Sequence, residues 1–332
     1  MSRFETLHLP PPADPTARAY KDWLHLNVFV PQDGIVALIN TSLHSSPADA
    51  RARAVGVALG SGPEGEWAGG IEICGLTDAR IEPQAVFLST VSISAAQDQS
   101  ALLASVRRPE DGFVADLQAR PLLPHIGLEL QSAFGSGWIG WAVMPVMELS
   151  GHLELGGRKI PLKGALGYHD HNWGRWLWGE DVAWEWGTFV LADRTVIVFA
   201  RSCDRLHDAP GMPHVFLVQG ERVFQFAPER VEIILENRMI QPQRRLPGAL
   251  AAVHPDRAMP DLPGRVTLRG ESPDAMFELE FTARSAAQLI LAEPTAPGTS
   301  YINEISGTCS FIGQIKGAPV RETGMGIFEY VE

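Results

Sequence analysis

The sequence predicts an all-β protein, and three observations carry that expectation. Roughly eighteen short apolar runs of strand length follow one another at hairpin spacing. The 32 glycines and 25 prolines are dispersed along the chain, as turn residues between many strands would be. Turn signatures such as Pro-x-Asp-Gly and Gly-Gly fall between the runs. So many strands reach stability by closing as a sandwich or a barrel.

In chain order, one helix is expected near the start, with Asp14 as its cap, Pro15 at its first position and 17–24 continuing it. Strands over 25–30 and 35–43 then flank Pro31-Gln32-Asp33-Gly34, and further runs cover 54–59, 69–74 and 85–94. Runs at 102–107 and 113–119 flank Pro109-Glu110-Asp111-Gly112, whose two acids read as solvated. The first half closes with 127–134, 138–143 and 147–155, the last ending at Gly156-Gly157. In the second half, 182–191 and 195–201 flank Ala192-Asp193-Arg194. Then come 215–219, 222–226, 230–236, 265–269, 276–282, 288–291, 308–315 and 325–331. The stretch 242–263, rich in Pro, Arg and Ala, reads as a long surface loop. Two halves of similar strand number give two domains, 1–165 and 166–332, with the boundary near 160–180.

Composition narrows the function. With 332 residues, 45% hydrophobic and 20% charged, the chain can bury a large core without a disulfide or metal staple. Its 27 Lys+Arg against 39 Asp+Glu give a net charge of −12. That balance argues against a nucleic-acid partner and against adhesion to anionic lipid by charge. It suits a small apolar molecule as partner. Cys74, Cys203 and Cys309 are widely spaced and form neither a C-x-x-C pair nor a disulfide framework, so they read as reduced, mostly buried thiols in a cytoplasmic protein. No stretch reaches 18 apolar residues, so no membrane span is expected, while peripheral membrane contact and oligomeric state stay open. Gly60-Ser61-Gly62-Pro63-Glu64-Gly65 fits G-x-G-x-x-G, but Pro63 and Trp67 open no helix behind it, so it reads as a turn.

The informative segment is GYHDHNWGRWLWGEDVAWEWG, residues 167–187. Five of the nine tryptophans lie here (Trp173, Trp176, Trp178, Trp184 and Trp186), and Trp138 and Trp141 lie just upstream. Polar groups among so many aromatics must be hydrogen-bonded if they are buried. In an extended chain side chains alternate, so Tyr168, Asp170 and Asn172 share one face and His169, His171 and Trp173 the other. A carboxyl group surrounded by Trp loses solvation, holds its proton to higher pH and can serve as a general acid. Trp faces would stabilise a developing cation by roughly 0.5–2 kcal/mol each. Asp170 is the candidate acid, oriented by Tyr168 and Asn172. Trp138, Trp141, His169, His171, Trp173, Trp176, Trp184, Glu185 and Trp186 are the candidate substrate-binding residues. His169 and His171 form H-x-H, but Arg175 and Trp176 stand where a barrel metal site of the cupin type would bring a Glu, so no metal is expected.

The core GYHDHNWGRW resembles the motif of the carotenoid 1,2-hydratase (hydroxyneurosporene synthase) group. The wider superfamily includes AttH-like proteins, yeast survival-factor-like proteins and fungal decalin-forming Diels–Alderases. Upstream, Trp138-Ile139-Gly140-Trp141 with Pro145, and Ser150-Gly151-His152-Leu153-Glu154-Leu155-Gly156-Gly157, resemble the family's lead-in. The likeness covers about 138–190. It implies two lipocalin-like antiparallel β-barrels packed side by side, an apolar pocket near the motif and no cofactor. It also implies that Asp170, with Tyr168 beside it, protonates a trisubstituted C=C of an isoprenoid or polyene, leading to hydration or cyclisation. Two alternatives stand beside that enzyme: a pericyclase that folds a polyene, and a non-catalytic carrier of a lipophilic ligand.

Overall fold

A computed structural model describes residues 4, 6–9, 20–45, 51–180, 182–239, 243–246, 262–293 and 298–332. Among them are twenty-three strands in two sheets, almost wholly antiparallel, of the lipocalin-like kind the sequence predicts. The first sheet holds β1 (Tyr20–Val30), β2 (Ile35–His44), β3 (Arg53–Ser61), β4 (Trp67–Gly75), β5 (Arg80–Glu82), β6 (Ala85–Phe87), β7 (Val91–Ala95), β8 (Leu102–Arg108), β9 (Phe113–Pro121), β10 (Ile126–Phe134), β11 (Gly137–Leu155), β12 (Arg158–Ile160) and β13 (Leu166–Arg175). The second holds β14 (Ala183–Leu191), β15 (Val196–Cys203), β16 (His214–Gln219), β17 (Arg222–Phe226), β18 (Val231–Arg238), β19 (Gln243–Leu246), β20 (Pro263–Glu271), β21 (Ala275–Ala292), β22 (Thr299–Ile315) and β23 (Ala318–Val331).

In the first sheet the strand order is β4-β3-β2-β1-β13-β11-β9-β8-β7-β6-β5, with β10 and β12 both on β11. The sheet curls so that β2 and β3 pack against β7. Period-two alternation fills the space between them. Leu24, Leu26, Val28 and Val30 of β1 meet Val91, Ile93, Leu102, Ala104, Val106, Phe113 and Met144 in one buried cluster. The two Pro-x-Asp-Gly turns are single 3-10 turns, closed by Gly34 and Gly112 in the left-handed region at φ 64° and 73°. The second sheet runs β17-β16-β15-β14-β23-β22-β21-β20-β18, with β19 parallel to β21. Its interior is packed with aromatic rings, including Phe189, Phe199, Phe226, Phe277, Phe281, Phe311 and Phe328.

By contacts the chain divides into Met1–Gly62, Trp67–Glu180 and Ala292–Thr299 as one unit, and Pro63–Glu66, Asp181–Leu291 and Ser300–Glu332 as the other. Leu166–Arg175, which follows the 165/166 boundary read from sequence, hydrogen-bonds to β1 and β11 and so lies in the first sheet. The expected helix is corrected in its described part. Residues 20–24 begin β1, because the Leu24, Leu26, Val28 alternation extends back to Tyr20 in register with β13. Asp14, Pro15 and the rest of 14–19 lie outside the described residues. Within the expected loop 242–263, Gln243–Leu246 is a strand and Pro263 starts β20, while 242 and 247–261 lie outside the described residues. Asp111 is not simply solvated: it accepts from Arg108 Nε at 2.8 Å.

Gly151, midway along β11, adopts φ +113°, and a Cβ there would sit 2.1 Å from the Asp116 carbonyl oxygen on β9. Gly151→Ala should therefore cost at least 1–3 kcal/mol, roughly the scale of a strained backbone position. The urea midpoint should fall with an unchanged slope; an unaltered midpoint would refute the strain.

Candidate functional site

β13 is the central strand of the site and is buried along almost its whole length. Its two neighbours come from distant parts of the chain. His25 of β1 and Val143 of β11 both stand opposite Asp170, while Leu24 and Ala142 stand opposite His171. Paired residues of antiparallel strands point to the same side. One face therefore carries Asp22, Leu24, Leu26, His169, His171 and Trp173 toward the core of the first sheet. The other carries Lys21, Trp23, His25, Asn27, Trp141, Tyr168, Asp170 and Asn172.

On the second face the Asp170 carboxylate collects three donors. Tyr168 Oη donates to Oδ2 at 2.7 Å, Trp141 Nε1 to Oδ2 at 2.9 Å, and Asn172 Nδ2 to Oδ1 at 2.8 Å. Burial pushes the Asp170 carboxyl up from its ordinary 3.8 to about 6, although the Tyr168 and Trp141 hydrogen bonds, the nearby His171 and the Asn172 hydrogen bond pull the other way. Oδ1, with a single donor, keeps a lone-pair direction for the proton. Asn27, opposite Tyr168 on the same face, is fully buried, and neither its Oδ1 nor its Nδ2 meets a hydrogen-bond partner among the described residues.

Further along this face, Lys21 is a buried cation. Its Nζ donates to Glu293 Oε2 at 3.0 Å and to the Trp176 carbonyl at 2.5 Å, and lies 5.4 Å from the ring centroids of both Trp176 and Trp178. Trp23 and Phe134 meet the Trp176 ring edge-on at 5.1 and 5.4 Å. Trp176 thus encloses the chain's own ammonium. His44 takes a hydrogen bond from Trp178 Nε1 on Nδ1 at 3.3 Å and meets Ser42 Oγ through Nε2 at 3.0 Å. Burial, with Lys21 and Arg53 nearby, pushes His44 down to about 3, so it is neutral.

On the core-facing side His171 Nε2 meets Asp22 Oδ1 at 2.7 Å. Asp22 Oδ2 accepts from Tyr20 Oη and from the His8 backbone N–H, both at 2.7 Å. Burial, reinforced by the Asp22 charge, pushes the Tyr20 phenol well above its usual range. The His8 ring stacks on Trp173 at 4.1 Å, and His169 Nδ1 meets the His25 carbonyl at 2.7 Å. A cavity of about 10 Å³, room for about one water, lies against His169, His171, Met144 and Leu102.

Of the residues singled out from sequence, Asp170, Tyr168, Asn172 and Trp141 converge on one carboxylate. His169, His171 and Trp173 face away from it, and Trp138 packs beside Trp173 and Tyr20. Trp184, Glu185 and Trp186 lie on β14 in the second unit, where Trp184 bonds Glu329 and Glu185 bonds Arg201 and His207. Sequence reasoning missed Tyr20, Lys21, Asp22, Asn27, His44 and Glu293. For Lys21 and Asn27 the available signal was their alternation with Leu24, Leu26 and Val28 in one strand, which marks a buried polar face.

No family model matches the chain, and no curated protein matches it in sequence. Solved structures do match its fold. A Nitrosomonas europaea protein provisionally named AttH superposes with a TM-score of 0.66 at 16% identity, covering 98% of both chains. Kievitone hydratase from Nectria haematococca gives 0.60 at 13%, covering 99% of this chain and 98% of that one. CghA gives 0.62 at 15%, covering 95% and 88%. The motif resemblance and the fold therefore point to the same group of structures.

The Asp170 environment has a thermodynamic signature. Between about pH 4 and pH 6 the unfolded chain has released this proton and the folded protein keeps it, so stability falls as pH rises through that window, by about 3 kcal/mol. Asp170→Asn removes the titration. The stability of the wild type relative to the variant should drop by about that amount from pH 4 to pH 7, measured by urea denaturation. A difference independent of pH would mean that Asp170 is an ordinary carboxylate.

Proposed function

We propose that the protein is a cofactor-independent enzyme that protonates a C=C bond of a small apolar unsaturated molecule, isoprenoid or polyene, with Asp170 as the acid. The observation that supports this reading is the buried Asp170 carboxyl, raised to about 6 and held by Tyr168, Trp141 and Asn172. Near neutral pH a fraction of such a group carries a proton, and low local dielectric makes its transfer to carbon effective. The proton leaves Oδ1, the alkene π pair forms the new C–H bond, and a tertiary cation remains. The three donors then stabilise the carboxylate left behind. Water captures the cation and returns a proton to Asp170. Asn27, buried on this face with a donor and an acceptor to spare, is suited to hold that water. The likeness to a protein named kievitone hydratase fits this chemistry.

The competing reading is the pericyclase that the motif resemblance also implies; the fold is shared with CghA. There Asp170 and its donors would only orient a polyene.

The two differ in isotope content. Turnover of a trisubstituted isoprenoid alkene in deuterated water should place one deuterium on carbon, and the rate should fall as pH rises through about 6 because the acid must be protonated. Asp170→Asn should fold and lose about 10²–10⁴-fold in rate. Full activity in that variant removes Asp170 as the acid. Turnover without deuterium on carbon selects the pericyclase.

A further inference from the structure

In the second unit, Glu185 and Arg201 stand opposite each other on β14 and β15, as do Ala183 and Cys203. Tyr330 of β23 is the register partner of Glu185 on its other side. The chain leaving β15 places His207, at φ +59°, over this end of the sheet, its ring stacked on Tyr330 at 3.8 Å. Three atoms converge there. Cys203 Sγ is 3.1 Å from His207 Nδ1, and Nδ1 is 2.9 Å from Glu185 Oε1. The Glu185 side chain is fully buried, and that of His207 is 5% exposed.

We propose that Glu185 Oε1, Cys203 Sγ and His207 Nδ1 form a binding site for one zinc-class divalent cation. Proton counting supports it. His207 Nε2 faces the Val331 carbonyl at 2.9 Å and so carries a hydrogen. A hydrogen on Nδ1 could serve Glu185 or Cys203 but not both, whereas one cation serves all three atoms. The supporting contacts are those a metal site uses. The second imidazole nitrogen donates to a backbone carbonyl, and the second carboxylate oxygen accepts from Arg201 Nε at 2.7 Å. Thiolate, imidazole and carboxylate together suit a borderline-soft ion, and their two negative charges neutralise it. At ordinary bond lengths a tetrahedral ion would separate adjacent ligand atoms by roughly 3.3–3.6 Å; the two separations at Nδ1, 3.1 and 2.9 Å, need open only by a few tenths of an ångström, and all three atoms lie within 4.8 Å of one another. Cys203 gives its thiol proton to solvent on binding, and the fourth position is left for water.

Cobalt(II) alone, titrated into the metal-free full-length protein, tests the site. One equivalent should bind, with a thiolate-to-cobalt charge-transfer band and the intense visible absorption of a tetrahedral ion, and zinc should displace it. His207→Gln should weaken binding at least tenfold, and Cys203→Ser should abolish the band. The Cys74→Ser/Cys309→Ser double variant, with Cys203 as its remaining thiol, should keep it, which holds the test even where Cys203→Ser fails to fold. Absence of the band in the wild type, its loss in the double variant, or its survival in folded Cys203→Ser would overturn the site. None of these readouts depends on the activity of Asp170.

Discussion

Full burial of a polar strand is the constraint from which the rest of the first unit follows. β13 presents Tyr168, His169, Asp170, His171 and Asn172 in succession, and no side chain among them is more than 8% exposed. Each must find a partner inside the protein or cost roughly 1–3 kcal/mol. The strand's alternation sorts them into two sets. One set is satisfied locally, Asp170 gathering its own neighbours Tyr168 and Asn172 and adding Trp141 from β11. The other set needs β1, which supplies Asp22 to His171 and a backbone carbonyl to His169. The two carboxylates thus end on opposite sides of one sheet.

That separation shapes the chemistry available. Asp22 faces an imidazole and a phenol, and its charge is used up in that network. Asp170 faces only neutral donors at hydrogen-bond distance and is left with a raised proton affinity. The aromatic residues divide in the same way. Trp141 serves the Asp170 carboxylate, whereas Trp176 and Trp178 surround Lys21. A tryptophan-rich segment therefore need not be a single substrate wall.

The strand content was legible because period-two alternation and Pro-x-Asp-Gly turns act over a few residues. The Tyr168–Asp170–Asn172 grouping was legible for the same reason, since neighbours two apart in a strand meet regardless of the rest of the fold. What escaped depended on distant pairing. Residues 20–24 carried helix-like signals, with Asp14 and Pro15 ahead of them, and only register with β13 makes them a strand. Lys21 and Glu293 are 272 positions apart, and no local pattern joins them. Glu185, Cys203 and His207 are brought together by a sheet pairing and a turn, so a widely spaced cysteine gave no sign of its neighbours.

The pairing of Lys21 with Glu293 also sets an order of events during synthesis. All thirteen strands of the first sheet have been made once Arg175 has left the ribosome, yet the carboxylate for the buried ammonium arrives more than a hundred residues later. Until then the nascent sheet must either keep Lys21 in water, leaving this end of β1 unpacked, or bury an uncompensated charge at a cost of roughly 3–5 kcal/mol. A late-made segment thus acts as the latch on an early-made sheet. The first unit therefore reaches full stability only after this late-made segment has joined it, and not on completion of its strands.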